Sequence, residues 1–126
     1  YDIGLDNRTE ADGLAVGLAS PLVAPLMRDL LAGVFTVDDD RLFRDIHALA
    51  TTENVLIEPS AAAGFSGPRW LTDTAAGLEL LERIGARAAL PQATHVLWST
   101  GGALVPQAEH DRFQARGRAL STAPAH

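Results

Sequence analysis

Two hydroxyl residues and two glycines follow a short apolar run in the last third of the chain. The run at 96–98 leads into Ser99 and Thr100, and Gly101 and Gly102 come next. This order predicts a buried strand that opens into a glycine turn at its carboxyl end, where open α/β sheets bind ligands. Glycines there let a ligand approach the backbone, and a hydroxyl can donate or accept a hydrogen bond. An ordinary strand and tight turn would have the same pattern, because short motifs often match by chance.

Other residue patterns that could support chemistry are weak. The four histidines, His110 among them, lack metal-ligand spacing and are interpreted as structural or exposed; the absence of cysteine excludes thiolate chemistry. No Gly-x-Ser-x-Gly elbow or phosphate-binding loop occurs. The acidic run at 38–40 lacks the alternating ligands of a calcium loop and predicts a helix N-cap. All ten basic residues are arginine, so no lysine can form a Schiff base.

Length and composition limit the class of protein. The 126 residues fit one domain or part of a larger one, and 47% of them are hydrophobic. The net charge of −6 argues against nucleic acid as a partner, and no apolar run approaches the about 20 residues that span a bilayer. Since the first residues do not resemble a signal peptide, we expect a cytoplasmic location. Because the chain begins at Tyr1 without an initiator methionine, we expect it to be a piece of something longer.

Helix signals alternate with short apolar runs along the chain. The predicted helices share a capping residue or proline at the start and an apolar face, and they span about 21–32, 39–53, 60–67, 75–84 and 107–116. The predicted strands are short apolar runs that contain β-branched residues, at 34–37, 55–57 and 94–99. A glycine-bounded segment at 13–17 is interpreted as a strand or a buried loop. This alternation predicts an α/β fold with a mainly parallel sheet.

Four segments occur in an order that resembles a known enzyme family. They are Thr-Glu-Ala-Asp-Gly-Leu-Ala-Val at 9–16, Val-Phe-Thr-Val-Asp at 34–38, Leu-Ile-Glu-Pro-Ser-Ala-Ala-Ala-Gly at 56–64, and Leu-Trp-Ser-Thr-Gly-Gly at 97–102. With support from residues 3–7 and 105–106, the series resembles the carboxyl-terminal part of the serine and threonine dehydratases of pyridoxal 5′-phosphate (PLP) fold type II. The residues of these segments are most similar to those of the bacterial D-serine dehydratases, or D-serine ammonia-lyases.

The resemblance implies a fold and a division of the chain. The fold would be α/β, a three-layer, mainly parallel sheet with helices, from the carboxyl-terminal part of a tryptophan synthase β-like large domain. Residues 1–118 would form the carboxyl-terminal portion of the PLP-dependent dehydratase domain, and residues 119–126 a flexible tail. Asp12, in the first segment, is interpreted as a turn residue rather than a ligand.

The resemblance also implies an activity, the α,β-elimination of D-serine to pyruvate and ammonia on PLP. Thr100 would hydrogen-bond the pyridine nitrogen, while Gly101 and Gly102 would keep the backbone clear of the ring. Ala103 stands where the family usually has a third glycine, which leaves the shape of the turn open. Glu58 would lie near the ring, or it would only stabilise the start of a helix. The family's Schiff-base lysine and phosphate-binding loop lie upstream, so we expect no catalytic residue here and no activity of the chain alone.

Three interpretations of the chain stay open. The first is a fragment of a monomeric ammonia-lyase whose partner is the remainder of the same polypeptide. The second is a stand-alone, non-catalytic α/β ligand-binding or interaction module, and the third is a truncated product without a role of its own. The substrate, D-serine, D-threonine or L-serine, also stays open, because the loop that would bind the substrate carboxylate is not in this sequence.

Overall fold

Helices are the regular structure of this chain. The structure, a computed structural model, describes residues 6–122. Its α-helices are α1 (Val23–Met27), α2 (Asp39–Glu53), α3 (Pro59–Ala62), α4 (Gly67–Asp73), α5 (Ala75–Arg83) and α6 (Gln107–Thr122). Short 3-10 helices occur at Asp12–Leu14, Ala63–Ser66 and Arg87–Gln92. Residues 3–5, which were part of the family resemblance, and residues 123–126 of the predicted tail lie outside the described residues.

The predicted α/β fold with a three-layer parallel sheet is wrong, because residues 6–122 contain no strand. The predicted strands at 34–37, 55–57 and 94–99 have no regular structure, and no ladder of hydrogen bonds joins them. Val34 and Val96, both predicted in strands, are 79% and 85% exposed, although the strand with Val96 was predicted to be buried. The physical reason is that β-branched residues favour an extended backbone, whereas a sheet also requires neighbouring strands that pair with it.

Helix α2 has a clear sequence signal at each end. The Asp38 carboxylate accepts a hydrogen bond from the backbone amide of Arg41 at 2.8 Å, which confirms the predicted N-cap. Two further aspartates in the first turn complement the positive end of the helix dipole. The helix ends at Glu53, as predicted, because Asn54 adopts a left-handed conformation with φ 55°.

The core lies mainly between α2 and α6. Phe43 and Ile46 of α2 are fully buried, and Phe113 of α6 packs on Phe43 with 5.8 Å between ring centroids. Gly117 sets the distance between the two helices, since a Cβ atom there would collide with the carbonyl oxygen of Phe43. These two helices form the frame on which the other segments pack.

The first family segment is attached to both helices of this frame. The Asp39 carboxylate accepts hydrogen bonds from the backbone amide of Glu10, at 2.8 Å, and from the hydroxyl of Thr9. Glu10 in turn pairs with Arg112 of α6 at 3.0 Å. The next residue, Ala11, is 2% exposed and belongs to the core.

Helices α4 and α5 form a tight corner. Thr74 caps α5, as one of two predicted candidates, because its hydroxyl accepts a hydrogen bond from the amide of Gly77 at 3.0 Å. Gly77 has no room for a side chain, since a Cβ atom would collide with the Trp70 carbonyl oxygen. Gly85, with φ 68°, follows the end of α5, as predicted.

The first and last predicted helices differ from the structure. Helix α1 is only Val23–Met27 instead of 21–32, and its predicted apolar face is exposed: Leu26 and Leu30 are 65% and 74% accessible. Helix α6 was predicted to end near Arg116 but continues to Thr122, so residues 119–122 of the predicted tail belong to its last turn. None of the helices within residues 6–122 has the length and apolar composition that crossing a bilayer requires.

Candidate functional site

The turn at residues 100–102 packs against the start of α3. The backbone amide of Glu58 donates a hydrogen bond to the carbonyl oxygen of Gly101 at 3.3 Å, and Pro59 then begins the helix. The structure therefore brings together the third and fourth family segments, which are distant in sequence. Three predicted site residues, Glu58, Gly101 and Gly102, are in contact with one another or with adjacent backbone.

Gly102 is required by this packing, whereas a side chain on Gly101 would displace the end of the Glu58 side chain. A Cβ atom on Gly101 would collide with the carboxylate of Glu58, and one on Gly102 would lie 2.6 Å from the Cα of Ile57. Gly102 also has φ 139°, a conformation that side-chain-bearing residues rarely adopt. The absence of these Cβ atoms is therefore explained by contacts within the protein. Their predicted second role, clearance for a cofactor ring, stays a prediction.

Thr100 and Glu58 provide the polar groups of the site. Thr100 is exposed, so its hydroxyl is not buried in the apolar interior. Glu58 is half-buried, and its carboxylate lies against Gly101 instead of capping the amides of α3. Within residues 6–122, neither the Thr100 hydroxyl nor the Glu58 carboxylate takes part in a side-chain hydrogen bond or ion pair. The site thus presents a hydroxyl and a carboxylate that remain able to bind another group.

The first family segment also reaches α3. The amide of Gly13 donates to the hydroxyl oxygen of Ser60 at 2.9 Å and to the carboxylate of Asp12 at 2.8 Å. Asp12 begins a 3-10 helix, which confirms its predicted position in a turn. Three of the four family segments therefore meet around α3.

His110 is the residue that sequence reasoning did not connect with the turn. It lies in the first turn of α6, is 5% exposed, and has its Nε2 atom 3.1 Å from the carbonyl oxygen of Gly102. The amide of Val105 donates to the same oxygen at 3.0 Å. A carbonyl oxygen only accepts, so Nε2 carries the proton in this contact. The signal that could have suggested the contact was the position of His110 directly after the glycine turn and Pro106.

An open cavity of about 830 Å³ lies apart from this turn. It is lined by the second family segment at 34–38 together with parts of the first and third segments and of α2. Its lining contains neither Thr100 nor Glu58. Within residues 6–122, no group of three histidine, aspartate or glutamate side chains is arranged to hold a metal ion. The turn at Thr100 is therefore the place where the predicted site residues meet.

The sequence has close relatives among curated proteins, although no protein-family model matches it. It is 57% identical over 125 residues to a "Probable D-serine dehydratase" of Paracidovorax citrulli, 56% over 124 residues to one of Cupriavidus pinatubonensis, and 54% over 125 residues to one of Burkholderia lata. The chain is homologous to D-serine dehydratases. The predicted resemblance is thereby confirmed. The matches cover 98–99% of this chain, and the chain spans 28% of the length of each D-serine dehydratase named here.

The PLP group implied by the resemblance to D-serine dehydratases can be tested against the described residues. Thr100 fits one edge of such a cofactor, because its exposed hydroxyl can hydrogen-bond a ring nitrogen. The backbone beside it carries no side chain at Gly101 and Gly102. The chain contains no lysine for a Schiff base. The residues present therefore fit part of a PLP site, and the covalent anchor would have to come from outside them.

Proposed function

We propose that this chain is a carboxyl-terminal segment of a PLP-dependent D-serine ammonia-lyase, which converts D-serine to pyruvate and ammonia. The observation that carries the proposal is the 54–57% identity of nearly the whole chain to proteins named probable D-serine dehydratase. The exposed Thr100, beside the packed turn and Glu58, supports it. The segment would contribute one wall of the active site and no catalytic lysine.

Thr100 would tune the cofactor. PLP, when bound, supplies the electron sink for α,β-elimination. A carboxylate partner would keep the pyridine nitrogen protonated and deepen that sink, whereas the neutral hydroxyl of Thr100 does not. With Thr100 as the partner of that nitrogen, less charge would be stored in the ring, which would favour prompt loss of the β-hydroxyl group of the substrate.

Glu58 would support the same wall. Its carboxylate fills the space that Gly101 leaves open, and its amide holds the Gly101 carbonyl at 3.3 Å. These two contacts keep the backbone beside Thr100 in place. In the proposed enzyme, Glu58 lies near the cofactor ring and helps to position the turn.

The remainder of the same polypeptide is the proposed partner of this segment. Large apolar side chains are exposed along the irregular segments: Val96 and Trp98 are 85% and 84% accessible, and Val34 is 79% accessible. Contiguous exposed apolar residues usually mark an interface. Because the chain spans 28% of the length of its curated relatives, most of a relative's polypeptide is available to cover them. A stand-alone module would leave these side chains in water, which disfavours that alternative.

The proposed function is tested by comparing the full-length protein with the isolated 126-residue chain. With PLP added, we expect the full-length protein to release pyruvate from D-serine faster than it releases pyruvate from L-serine or 2-oxobutanoate from D-threonine. We expect the isolated chain to yield no borohydride-trapped PLP on a side chain, because it contains no lysine. Peptide mapping separates such labelling from labelling of the α-amine of Tyr1. If the full-length protein released neither pyruvate from D-serine or L-serine nor 2-oxobutanoate from D-threonine, the proposal would be contradicted.

A further inference from the structure

We infer that His110 is a positioning residue, which fixes the turn at residues 100–102 by holding the carbonyl group of Gly102. Its side chain is 95% buried, and its Nε2 atom lies 3.1 Å from the Gly102 oxygen. The consequence of this contact for PLP rests on the proposed function, whereas the contact itself does not. In the proposed enzyme, His110 acts on the cofactor only indirectly. It holds the backbone of residues 100–102, which positions Thr100.

The two carbonyl groups of the turn are held by different parts of the molecule. The Gly101 oxygen accepts from the amide of Glu58 at 3.3 Å, and the Gly102 oxygen accepts from His110 of α6 and from the amide of Val105 at 3.0 Å. A shift of the turn toward α3 would break the contact with His110. A shift toward α6 would break the contact with the Glu58 amide. Thr100 directly precedes the two restrained residues, so its position depends on both.

The surroundings of His110 define which ring nitrogen donates. Phe113 packs edge-on against the imidazole, with 6.2 Å between centroids and an interplanar angle of 89°. The Nδ1 atom is buried and has no hydrogen-bond partner within residues 6–122. A proton on Nδ1 would leave a buried donor unpaired and would remove the donor from Nε2. The arrangement therefore selects the form with the proton on Nε2, in the direction of Gly102.

Two substitutions separate this role from simple filling of space. His110→Phe keeps an aromatic ring in the core but removes the donor, whereas His110→Gln restores an N–H donor on a flexible side chain of similar reach. Unfolding of each variant in urea, followed by circular dichroism, serves as the control for overall stability. If His110 only fills space, phenylalanine should preserve the slow amide exchange of the turn better than glutamine does. If His110 holds the Gly102 carbonyl group, glutamine should preserve it better.

The experiment uses the full-length protein and measures the turn directly. Without PLP, we expect amide hydrogen exchange in the peptide that covers residues 100–105 to be about fivefold faster in His110→Phe than in the wild type, and to be restored in His110→Gln. With PLP titrated by absorbance, we expect the dissociation constant to rise by about the same factor in His110→Phe and to return toward the wild-type value in His110→Gln.

A measurement on the wild-type protein keeps the inference testable if His110→Phe does not fold. In ¹⁵N-histidine-labelled full-length protein, we expect the imidazole signal that disappears in His110→Gln to show a proton on Nε2. A proton on Nδ1 instead, or exchange in His110→Phe equal to that of the wild type, would overturn the role of His110. Faster exchange with unchanged PLP affinity would overturn its effect on the cofactor. A wild-type protein that binds no PLP and does not act on D-serine would refute the proposed function, while the exchange data would still decide whether His110 holds the turn.

Discussion

At the scale of single residues, the site combines an exposed group with a tightly packed support. Thr100 is exposed, yet Gly101 lies against the carboxylate of Glu58, and Gly102 lies so close to the backbone of Ile57 that it cannot carry a Cβ atom. A hydroxyl on such a support can be presented to a partner with little loss of conformational freedom. This combination leads to two predictions about single side chains.

Removing the hydroxyl of Thr100 should weaken the proposed site. In the full-length protein, we expect Thr100→Ala to lower either the affinity for PLP or the rate of D-serine elimination by about fivefold, the effect of one neutral hydrogen bond of about 1 kcal/mol. Thr100→Ser retains the hydroxyl and serves as the matched control. Thr100→Asp should shift the absorbance spectrum of bound PLP, because a carboxylate changes the protonation of the ring. Unchanged kinetics and affinity in Thr100→Ala would remove this residue from the site.

Adding a methyl group to Gly101 should destabilise the protein. We expect Gly101→Ala to lower the free energy of unfolding by about 0.5–1 kcal/mol, because the Glu58 carboxylate that the new Cβ atom overlaps is the end of a flexible side chain and can move aside. Gly64→Ala is the matched control, since a Cβ atom there meets nothing within 4 Å. Urea unfolding of the full-length variants measures the difference. Because Glu58→Ala removes the obstructing group, the double variant Gly101→Ala with Glu58→Ala should recover part of the lost stability. Equal stability of Gly101→Ala and Gly64→Ala would refute the overlap.

At the scale of elements, the pairing of α2 with α6 determines where the other segments lie. Helix α6 carries both Gly117, which contacts α2, and His110, which contacts the turn. Helix α2 carries Asp39, which binds the first family segment. The frame made of two helices therefore connects the core with each segment that contributes to the site.

Substitution of Gly117 tests this frame. We expect Gly117→Ala to lower the free energy of unfolding by about 1–3 kcal/mol, because the Phe43 carbonyl group that it would meet is fixed in a helix and cannot easily yield. Ala115→Ser adds one heavy atom to the exposed side of the same helix and should have an effect below about 1 kcal/mol. Chemical unfolding of the full-length proteins provides the comparison, and similar losses for both variants would contradict close packing at Gly117.

The sequence predicted where helices begin and end better than it predicted which segments pair or pack with each other. Asp38, Thr74 and Gly85 were identified because capping depends on residues within a few positions of each other. The sheet and the buried face of the first helix were wrong, since pairing and burial depend on distant or external surfaces. The glycine turn was selected from its residue pattern and Glu58 from a resemblance, and they do lie together. The His110 contact spans only eight residues but was missed, because a histidine without metal-ligand spacing was interpreted as structural or exposed.

At the scale of the whole molecule, the described residues form a small core with a large apolar exterior. The buried side chains belong mainly to α2, α3 and α6, whereas the irregular segments around 34 and 96–98 are exposed. Such a surface is costly in water at roughly 25 cal/mol for each Å² of apolar area. This supports an assembly in which the remainder of the polypeptide covers these segments.

Trp98 reports on that assembly. We expect hydroxyl-radical footprinting with mass spectrometry to label Trp98 strongly in the isolated chain, where it is 84% exposed, and several-fold less in the full-length protein. Trp70, which stacks on Phe35 at 5.7 Å and is half-buried, should change less and serves as the internal control. Equal labelling of Trp98 in both proteins would show that the rest of the polypeptide does not cover this segment.

The crossing of α2 and α6 has a consequence at a distance. Gly117 and His110 lie seven positions apart on α6, which corresponds to about 10 Å along the helix. If α6 tilted at its contact with Phe43, the imidazole of His110 would move and its hydrogen bond to the Gly102 carbonyl oxygen would break. In the proposed enzyme, a substitution at Gly117, away from the proposed PLP site, would then alter D-serine elimination through α6.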